Sequence, residues 1–583
     1  AALQLSVKAI QEGKLVTASQ EATVADSALS MATRIGNSLF YLDPFFRSQK
    51  EAVVRSLSVS QKLADTEVEV LQAVALLEAV TQNKSAKPKA DFLQALATLK
   101  NSLIILQRMR AEGQLPEVLK TRLASLEPVL VPLENTIDAL PTLLGFEGKK
   151  SYLLLFQNNM ELRPGGGFIG SYGTLTVENG KVNGFKIADV YDADGKLAIH
   201  VEPPFGMSRY FGSKHWFLRD SNFDVDFPQN AEQAKNFLQL ETGEKVDGVI
   251  AVDTDFLKAV LTAVGKVEVN DYHEIVTPDN FYLLTQNHAE KDFFPGSTQK
   301  KDFLRSLLTA LQDRLSSGKE IDYQVLAKAI GESLLEKHLM FVSFAPATQE
   351  IFKVNNLSGS LWDGRALGKN TYLDFLGVIE ANLGANKANY YLKRTLDQQV
   401  LVNEQGTIQT TTTVTYANTS QKDSPFGGDY KDYVRFALPK GAVLKAVKFD
   451  GVIQPTTAAI TDPAVFTVKN FLPPKELEIE TSEEQGKAIL GFLILVPRGQ
   501  TKKVTLIYEN PRAIDLAQST FSYDLELFKQ PGAQNDLYSL AFNYPTGYQL
   551  VTGDKRLSDV GGKVVYSDVL AQDQELKVEF AKK

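Results

Sequence analysis

The stretch SYLLLFQNNMELRPGGGFIGSYG, residues 151–173, begins like a buried strand and ends in a cluster of glycines. Gly165, Gly167 and Gly170 have the spacing G-x-G-x-x-G, which is typical of a dinucleotide-binding turn. In such a site the turn opens a helix, and the N-terminus of that helix binds the pyrophosphate. The element that follows the glycines therefore decides both the fold and the function of this stretch.

The residues after the glycines have the pattern of a strand. Residues 171–182 read SYGTLTVENGKV, with a hairpin turn signal at Asn179 and Gly180. The sequence therefore predicts no nucleotide-binding site, and it contains no G-K-[ST] of a P-loop at this position. Two interpretations of the glycine loop, residues 163–167, stay open. It is either a tight turn between strands or an exposed nest of backbone amides that binds an anion beside Arg163.

The hydrophobic period differs on the two sides of this stretch. Residues 1–147 carry apolar residues at three- and four-residue steps, which predicts an α-helical bundle that serves as a spacer. Residues 148–393 mix strand and helix patterns, which predicts an α/β domain with a mixed sheet. In residues 394–583, short alternating runs between turn residues predict one or two β-sandwich, immunoglobulin-like modules. The sequence thus predicts a multidomain protein.

The composition excludes several classes of site. The chain of 583 residues contains no cysteine, which rules out disulfides, thiol catalysis and cysteine-ligated metals. Its five histidines form neither H-x-x-x-H nor H-E-x-x-H, so we expect no zinc, and we expect no haem either. A net charge of −8 without a block of Lys and Arg predicts no nucleic-acid partner.

Two arginines are the candidates for contact with a phosphate, because a planar guanidinium matches phosphate oxygens. Each has an acidic neighbour, Glu161 for Arg163 and Asp220 for Arg219, so structural salt bridges are the alternative interpretation. We predict catalytic roles for Arg163, Arg219 and Asp220, and Glu161 is a further candidate as a general base. Replacement of Arg163 by alanine is then expected to abolish phospholipid binding and to leave thermal unfolding almost unchanged.

Oxygen-bearing side chains alternate in the next segment. Asp220, Asn222, Asp224 and Asp226 occupy every second position, which in an extended segment places several oxygens on one side. This pattern suits Mg²⁺ or another divalent cation, with Asp220 and Asp224 as the predicted metal ligands. The alternative is that Asp224 and Asp226 are turn or N-cap residues before a helix.

Several segments together resemble a bacterial family of cell-surface proteins, the domain of unknown function 4012. They are spread over about 150–395 and include ELRPGGGFIGSYG, RDSNFDVDFP, VDGVIAVDTDFLKAVL and GVIEANLGANKANYYLKR. The resemblance implies a location at the extracellular face of the membrane, with a membrane anchor upstream of Ala1. The partners it implies are cell-wall or surface glycans and other envelope proteins.

The same order of elements is more distantly similar to the LytR–CpsA–Psr phosphotransferases, which attach polyprenyl-pyrophosphate-linked glycopolymers to the wall. That resemblance implies a mixed-sheet domain with arginines on the pyrophosphate and acidic residues on a divalent metal. By position it points to Asn158 or Asn159 at a strand end, Asp189, and Lys300, Lys301 and Arg305 at a basic helix start. The family has Asp at the strand end and Arg at the helix start, where this sequence has Asn and Lys. A lysine lacks the planar guanidinium with which an arginine binds two phosphate oxygens at once.

Two functions remain open from the sequence. In the first, the α/β domain binds a phosphorylated lipid-linked glycan or wall polymer, and a degenerate or divergent glycopolymer phosphotransferase is one form of this function. The residues predicted to bind that ligand are Asn159, Gly165, Gly166, Gly167, Lys300 and Lys301. In the second, the chain is a non-catalytic structural, assembly or adhesion protein of the cell surface. An apolar groove beside the arginines favours the first function, and a shallow surface there favours the second.

Overall fold

The computed structural model of the protein describes most of the chain. The described residues are 15–39, 47–81, 84–115, 117–290, 299–317, 321–361, 368, 370–466, 471–510 and 512–583. They form a helical region, a middle domain with a mixed sheet, and a C-terminal region of two eight-stranded sheets. This architecture confirms the predicted multidomain fold.

The N-terminal region consists of helices, as the three- and four-residue apolar spacing predicts. Their bounds are Leu15–Leu39, Arg47–Thr81, Pro88–Ala111, Glu117–Thr136 and Leu140–Leu143. Phe92 and Phe146 stack with ring centroids 4.4 Å apart, in a cluster with Val80 and Ile137. Among the described residues, no helix has both the length and the apolar character needed to cross a bilayer.

The middle domain is built on a five-stranded mixed sheet. Its strands are β1 (Lys150–Asn158), β2 (Phe168–Glu178), β3 (Lys181–Asp189), β4 (Gly248–Asp253) and β7 (Leu339–Ser343), and a separate ribbon contains β5 (Val267–Val269) and β6 (Glu274–Val276). The order across the sheet is β3-β2-β1-β4-β7, in which β1 and β4 are parallel and the other neighbours are antiparallel. The helices of this domain are Val190–Asp194, Phe227–Thr242, Thr254–Val264, Phe281–Glu290, Gln299–Ser317, Tyr323–Leu335 and Pro346–Val354.

The glycine loop leads directly into strand β2, so the predicted strand after the glycines is confirmed. The β2–β3 hairpin turns at Asn179 and Gly180, whose φ angles of 52° and 77° lie in the left-handed region. The amides of these two residues donate to the carbonyls of Gly145 and Leu144, at 3.0 and 2.8 Å. The hairpin turn therefore fastens the sheet to the end of the helical region.

The C-terminal region is a large β-sandwich. Its strands are β8 (Thr371–Ile379), β9 (Leu392–Val402), β10 (Ile408–Asn418), β11 (Tyr430–Pro439), β12 (Val443–Phe449), β13 (Val452–Gln454), β14 (Thr456–Ala458), β15 (Leu477–Glu484), β16 (Lys487–Val496), β17 (Thr501–Glu509), β18 (Thr520–Phe528), β19 (Asp536–Asn543), β20 (Tyr548–Gly553), β21 (Ser558–Asp559), β22 (Lys563–Leu570) and β23 (Gln574–Lys582). One sheet has the order β13-β12-β17-β10-β9-β19-β22-β21, and the other β14-β15-β16-β11-β8-β18-β23-β20. A short helix, Pro463–Phe466, lies between β14 and β15.

The two halves of the sandwich are joined within each sheet. Strand β9 pairs in parallel with β19, and β8 pairs in parallel with β18, so each sheet runs without interruption from one half to the other. One hydrophobic cluster contains side chains from both sheets. Strand β8 lies before residue 394, where the sequence predicts the β-region to begin, yet it occupies a central position in its sheet.

The sandwich docks on the middle domain through the loop between β18 and β19, residues 529–535, here called the sandwich loop. Gln530 Nε2 donates to the carbonyl of Arg163 at 3.0 Å. A Cβ atom on Gly532 would lie only 2.1 Å from the carbonyl oxygen of Gly166. The glycine loop is buried along its whole length. It is therefore packed against the sandwich loop, which leaves no room for a side chain at this contact.

Candidate functional site

A cavity of about 520 Å³ lies at the carboxyl ends of the parallel strands β1 and β4, and we call it the arginine cavity. Its charged lining residues are Glu161, Arg163, Arg219, Asp220, Asp253 and Lys387. Its larger apolar and aromatic lining residues are Phe156, Phe168, Tyr191, Phe211, Val252, Leu257, Phe281 and Leu304. The structure thus brings Arg163, Arg219 and Asp220 to one cavity, at the edge of the sheet where ligands of open α/β folds bind. Their chemical roles stay a prediction.

Alternating charges form a chain along one wall of this cavity. The order is Lys387, Glu161, Arg163, Asp220, Arg219 and Asp194. The successive N–O distances are 2.5, 3.0, 3.9, 3.3 and 2.6 Å. The salt bridges that the sequence offers as an alternative are therefore present, and they line the same cavity that is the candidate binding site.

Arg163 occupies the buried part of this chain. Only 2% of the residue is exposed. Its Nη1 donates to the carbonyl of Asn382 at 2.6 Å, and its Nη2 donates to Glu161 Oε1 at 3.0 Å. A side chain with this many buried partners stabilises the fold. The expectation that thermal unfolding stays almost unchanged in Arg163→Ala is therefore corrected to a large loss of stability.

Arg219 lies at the rim of the cavity and retains donor capacity. Its side chain is 24% exposed, and its Nη1 donates to Asp194 Oδ2 at 2.6 Å. Its guanidinium carbon lies 4.3 Å from the ring centre of Phe217, which fixes the plane of the group. Within the described part of the chain, no side-chain or backbone acceptor bonds its Nη2. Arg219 is therefore the arginine that is better placed to bind a ligand.

Two hydroxyl groups add to the polar lining. Ser171 on β2 is 1% exposed and lines the cavity, as does Thr285. Neither Ser171 Oγ nor Thr285 Oγ1 has a hydrogen-bond partner among the described residues. A buried hydroxyl without a partner is costly, and a ligand oxygen in the cavity would satisfy it.

The carboxyl groups of the chain differ in pKa. Burial raises the pKa of Asp220, although both neighbouring arginines act in the opposite direction. Burial also raises the pKa of Asp194 to about 6, against the effect of its arginine partner. For Glu161, the effect of burial is outweighed by Arg163 and Lys387, which hold its pKa below the usual value. Asp194 and Asp220 are therefore the carboxyls that most readily take up a proton when another anion enters.

Glu241 lies behind Asp194 and gives a testable pH dependence. Burial first, and then the charge of Asp194, raise the pKa of Glu241 to about 8. Because the folded-state pKa is above the unfolded value, this group's contribution to stability is present below about pH 4.5 and is lost as the pH rises through about 8. We expect Glu241→Gln to match the wild type near pH 4.5 and to be more stable by on the order of 1–3 kcal/mol above pH 8.

Urea unfolding followed by tryptophan fluorescence at several pH values measures this difference. The matched control is Glu232→Gln on the same helix, because Glu232 is half exposed and paired with Lys235. We expect the control to differ from the wild type by less than about 0.5 kcal/mol at every pH. A stability difference between Glu241→Gln and the wild type that does not grow with pH would contradict the assigned pKa.

Asn159 and the three glycines of the glycine loop, Gly165, Gly166 and Gly167, do not line the arginine cavity. Asn159 Nδ2 donates to Asp255 Oδ2 at 2.6 Å and to the carbonyl of Gly532 at 3.0 Å. The amides of Gly165 and Gly166 donate to backbone carbonyls within the middle domain. These residues hold the domain junction together, so their geometry is that of the tight-turn interpretation and not of an exposed amide nest.

Asp220 and Asp224, the predicted metal ligands, contact different groups. Asp220 faces the two arginines, whereas Asp224 Oδ1 accepts from the amide of Asp226 at 2.8 Å. Asp226 in turn accepts from the amide of Leu361 at 3.0 Å and from Gln485 Nε2 at 3.0 Å, and it precedes the helix Phe227–Thr242. Mg²⁺ bound jointly by Asp220 and Asp224 stays a prediction without support from these contacts.

The basic residues predicted from the helix start are placed only in part. Lys300 and Lys301 lie in the helix Gln299–Ser317, but their side chains are outside the described residues. Arg305 on the same helix is exposed and donates to the carbonyl of Ile187 at 3.0 Å. Asp189 accepts from the amide of Tyr191 and caps a short helix, so it has a structural contact of its own.

Sequence reasoning missed several residues of the site. Asp194 reads as part of the turn DADG, and Lys387 reads as part of a turn that leads into the next module and locks the junction. Ser171 and Thr285 are single hydroxyl residues in a strand and a helix, and no local pattern distinguishes them. For Lys387 the only available signal was its place in the family-like segment NLGANKANYYLKR.

Comparison with known proteins finds one family model that matches part of the chain. Residues 147–289 match the family model described as protein of unknown function (DUF4012). The resemblance to DUF4012 is thereby confirmed. This DUF4012 region contains Arg163, Arg219 and Asp220, and so includes most of the chain of charges along the cavity wall. No curated protein matches the sequence.

Solved structures similar to this chain are remote. TagV of B. subtilis is 18% identical over 38% of this chain and 88% of its own, with a TM-score of 0.22. The transcriptional regulator yvhJ from Bacillus subtilis is 17% identical over 35% of this chain and 76% of its own, with a TM-score of 0.20. The protein gbs0355 from Streptococcus agalactiae is 12% identical over 36% and 74%, with a TM-score of 0.24.

Proposed function

We propose that the arginine cavity binds the phosphorylated end of a lipid-linked glycan or wall polymer at the outer face of a bacterial membrane. The observation that carries the proposal is the combination of Arg163 and Arg219 with an extensive apolar wall in one cavity of about 520 Å³. A polyprenyl phosphate has the same two parts, an anionic head and a hydrocarbon chain. A sugar alone would not need the apolar wall, and a neutral lipid would not need the arginines.

The anionic head binds at the rim of the cavity. Arg219 offers its Nη2, and Ser171 and Thr285 offer hydroxyl donors that lack other partners among the described residues. Arg163 stands behind these groups and holds the charged wall in place. Charge-assisted hydrogen bonds of a guanidinium to phosphate are among the strongest that a protein makes. The raised pKa of Asp220 favours uptake of a proton, which offsets the charge that the phosphate brings.

The hydrocarbon part binds along the apolar wall. Leu257, Phe281 and Leu304 come from three different helices and face the cavity together with Phe156 of β1. Phe211, partly exposed at 38%, belongs to the same lining. Each buried CH₂ contributes about 0.8 kcal/mol, so a few isoprene units placed here supply most of the affinity.

The proposed activity is binding and not transfer. A phosphotransfer reaction needs the charge of the pyrophosphate leaving group to be neutralised, commonly by a metal ion. Of the two asparagines at the strand end where the phosphotransferase family has an Asp, Asn158 lines the cavity, whereas Asn159 is bonded to Asp255 and Gly532 and lies outside the lining. Neither amide has the negative charge with which an Asp would hold a metal ion. The groups in the cavity therefore support capture of a phosphorylated lipid better than they support its transfer.

A second candidate is a structural, assembly or adhesion role at the cell surface, with glycans or other envelope proteins as partners. One observation favours it: Lys387, Arg163 and Arg219 each already contact a carboxylate, as in a network that serves stability. In that case the cavity has no preference for a phosphate.

The test compares a polyprenyl phosphate with the corresponding polyprenol, both in detergent micelles, by isothermal titration calorimetry on the full chain. We expect Arg219→Ala to weaken binding of the phosphate about 10- to 100-fold, because it removes a hydrogen bond to a charged group. Binding of the alcohol should not change. Ser171→Ala, which leaves all charges in place, should weaken phosphate binding by about 2- to 10-fold.

The matched control is Arg305→Ala, which removes an exposed arginine of the same domain that does not line the cavity. We expect it to bind both ligands like the wild type. If the wild type binds the phosphate and the alcohol equally, or if it binds neither, the phosphate site is refuted and the structural role is favoured.

A further inference from the structure

The charges along the wall of the arginine cavity balance one another. The chain of charges from Lys387 to Asp194 contains three cations, which alternate with three carboxylates. With all of these groups ionised, the net charge of the chain is zero. The wall therefore has no excess of positive charge to offer an anion, although two arginines belong to it.

The remaining charged residue of the cavity lining is also paired. Asp253 lines the cavity, and its Oδ2 lies 2.6 Å from His338 Nδ1. Burial opposes the charged form of His338, but the Asp253 carboxylate raises the pKa of this histidine to about 9. Glu241, behind Asp194, has a pKa that burial raises to about 8, so it is mostly protonated at neutral pH. Within the part of the chain that the structure describes, the groups around the cavity thus carry no net charge.

One of the three cations retains donor capacity for a ligand. Arg163 is 2% exposed and is bonded on several sides, and Lys387 is bonded to Glu161. Arg219 at the rim keeps its Nη2 for a ligand, while its Nη1 donates to Asp194. The other two donors assigned to the anionic head are hydroxyl groups, which have no charge. The cavity therefore offers one charged donor group and two neutral ones.

We propose that the anionic head is a phosphodiester with a single negative charge, in which one phosphate joins the lipid to the glycan. The balanced wall then selects this group over a phosphomonoester or a diphosphate. This inference rests on the proposed function of the arginine cavity and specifies its ligand. A phosphodiester has one acidic proton to lose, whereas a monoester carries two charges above its second pKa of about 6. Each charge beyond the first would enter a partly buried site without a partner.

The lining has a place for each of the two substituents of a phosphodiester. The apolar wall takes the lipid chain, as described above. On the other side, Tyr191 lines the cavity and is 42% exposed, and its ring centre lies 5.4 Å from the guanidinium carbon of Arg219. A second substituent on a phosphate at Arg219 can therefore leave the cavity past Tyr191 toward solvent. A monoester has only one substituent and would leave this path unused.

The test compares three lipids with the same hydrocarbon chain: a polyprenyl phosphate, its methyl phosphodiester and the polyprenol. Their affinities for the full chain are measured by isothermal titration calorimetry in micelles of a non-ionic detergent. At about pH 8 we expect the diester to bind at least about 10-fold more tightly than the monoester, and a polyprenyl diphosphate to bind more weakly still. At about pH 5 the monoester has lost its second charge, and we expect the two affinities to lie within about 3-fold of each other.

Protonation of the wall acts in the same direction over this pH range. Burial raises the pKa of Asp194 to about 6, so at about pH 5 this carboxyl is mostly protonated and the wall accepts a further negative charge more easily. The charged and titratable groups that face Asp194 are Arg219, Asp220, Glu241, Asp192, Tyr172 and Tyr191. The ratio of the two affinities, and not either affinity alone, is therefore the quantity that tests the selection.

Asp194→Asn changes the balance of the wall directly. The variant removes the carboxylate bonded to Arg219 and so gives the chain of charges a net positive charge. We expect it to reduce the preference for the diester at about pH 8 to less than about 3-fold, because the second charge of the monoester gains a partner. The matched control is Asp192→Asn, which removes an exposed carboxylate from the same short helix, Val190–Asp194. We expect it to keep the wild-type preference, since solvent and salt screen an exposed charge.

The outcomes separate this inference from the proposed function. If the monoester binds as tightly as the diester at about pH 8, or more tightly, and both exceed the polyprenol, selection of a phosphodiester is overturned and the phosphate site stands. Selection by the wall is also overturned if Asp194→Asn keeps the same preference as Asp192→Asn. If neither phosphate binds more tightly than the polyprenol, the inference and the proposed function fail together.

Discussion

Replacement of Arg163 by alanine is expected to lower the free energy of unfolding by about 3–5 kcal/mol, the cost of breaking a buried ion pair. The variant leaves Glu161 without one of its two cationic partners and Asp220 without one of its two arginines. It also leaves the carbonyl of Asn382 without its donor at 2.6 Å. Denaturant unfolding of the full chain, followed by tryptophan fluorescence, measures the change.

Two variants separate the loss of buried partners from the loss of a positive charge. Arg163→Lys keeps the positive charge but loses the planar set of N–H donors of the guanidinium. We expect its free energy of unfolding to lie between those of the wild type and Arg163→Ala. Arg305→Ala removes an exposed guanidinium of the same domain, and we expect a change below about 1 kcal/mol. If Arg163→Ala and the wild type have the same midpoint of denaturant unfolding, the chain of charges contributes little to the stability of the fold.

Comparison of this variant with Arg219→Ala distinguishes the two roles within one cavity. Arg163 is almost fully buried and bonded on several sides, whereas Arg219 is partly exposed at the rim. Loss of Arg163 is therefore expected to act mainly on stability, and loss of Arg219 mainly on affinity for the phosphate. The sequence alone does not distinguish the roles of the two arginines, because each lies close to an acidic residue in the chain.

Local patterns predicted the elements of the fold because those elements depend on neighbours in the chain. The turn at Asn179 and Gly180 needs two residues that tolerate a positive φ, and both adopt it. The alternating run in β10 (Ile408–Asn418) buries every second residue in the sandwich core, as a period of two requires. In both cases the decisive residues are close together in the sequence.

Local sequence patterns could not predict contacts between segments that are distant in the chain. The run TYLDFLGVI of β8 (Thr371–Ile379) reads as a strand, but nothing in it shows that it pairs with β18 of the sandwich. The predicted metal ligands were inferred from a local pattern that assumed an extended backbone. Residues 218–220 instead form a helical turn, so Asp220 and Asp224 do not lie along an extended segment. Alternation places side chains on one face only where the backbone is a strand.

The glycine loop affects the arginine cavity through its contact with the sandwich loop, which joins the middle domain to the β-sandwich. Its first residue is Arg163, whose side chain lines the arginine cavity and whose carbonyl accepts from Gln530 of the sandwich loop. The next glycines bring the two backbones into contact, and Asn159 connects the same junction to Asp255. Docking of the sandwich is therefore linked physically to the position of Arg163 in the arginine cavity.

Replacement of Gly532 by alanine is the sharpest test of this junction, and we expect a loss of about 3 kcal/mol in stability. Gly532 has a φ of 70°, where a Cβ costs about 1 kcal/mol, and the new methyl group would lie 2.1 Å from the carbonyl oxygen of Gly166. Because the obstructing atom belongs to the backbone, relief requires the two loops to separate, which adds about 1–3 kcal/mol. Denaturant unfolding of the full chain measures this loss.

Gly243→Ala is the matched control, because Gly243 has a similar φ of 76° but no atom within 4 Å of an added Cβ. We expect it to lose only the backbone cost of about 1 kcal/mol. The difference between the two variants then isolates the steric contact between the loops. Since separation of the loops also moves Arg163, Gly532→Ala should weaken binding of the polyprenyl phosphate, whereas Gly243→Ala should not. Equal losses in the two variants would mean that the sandwich does not pack on the glycine loop as described.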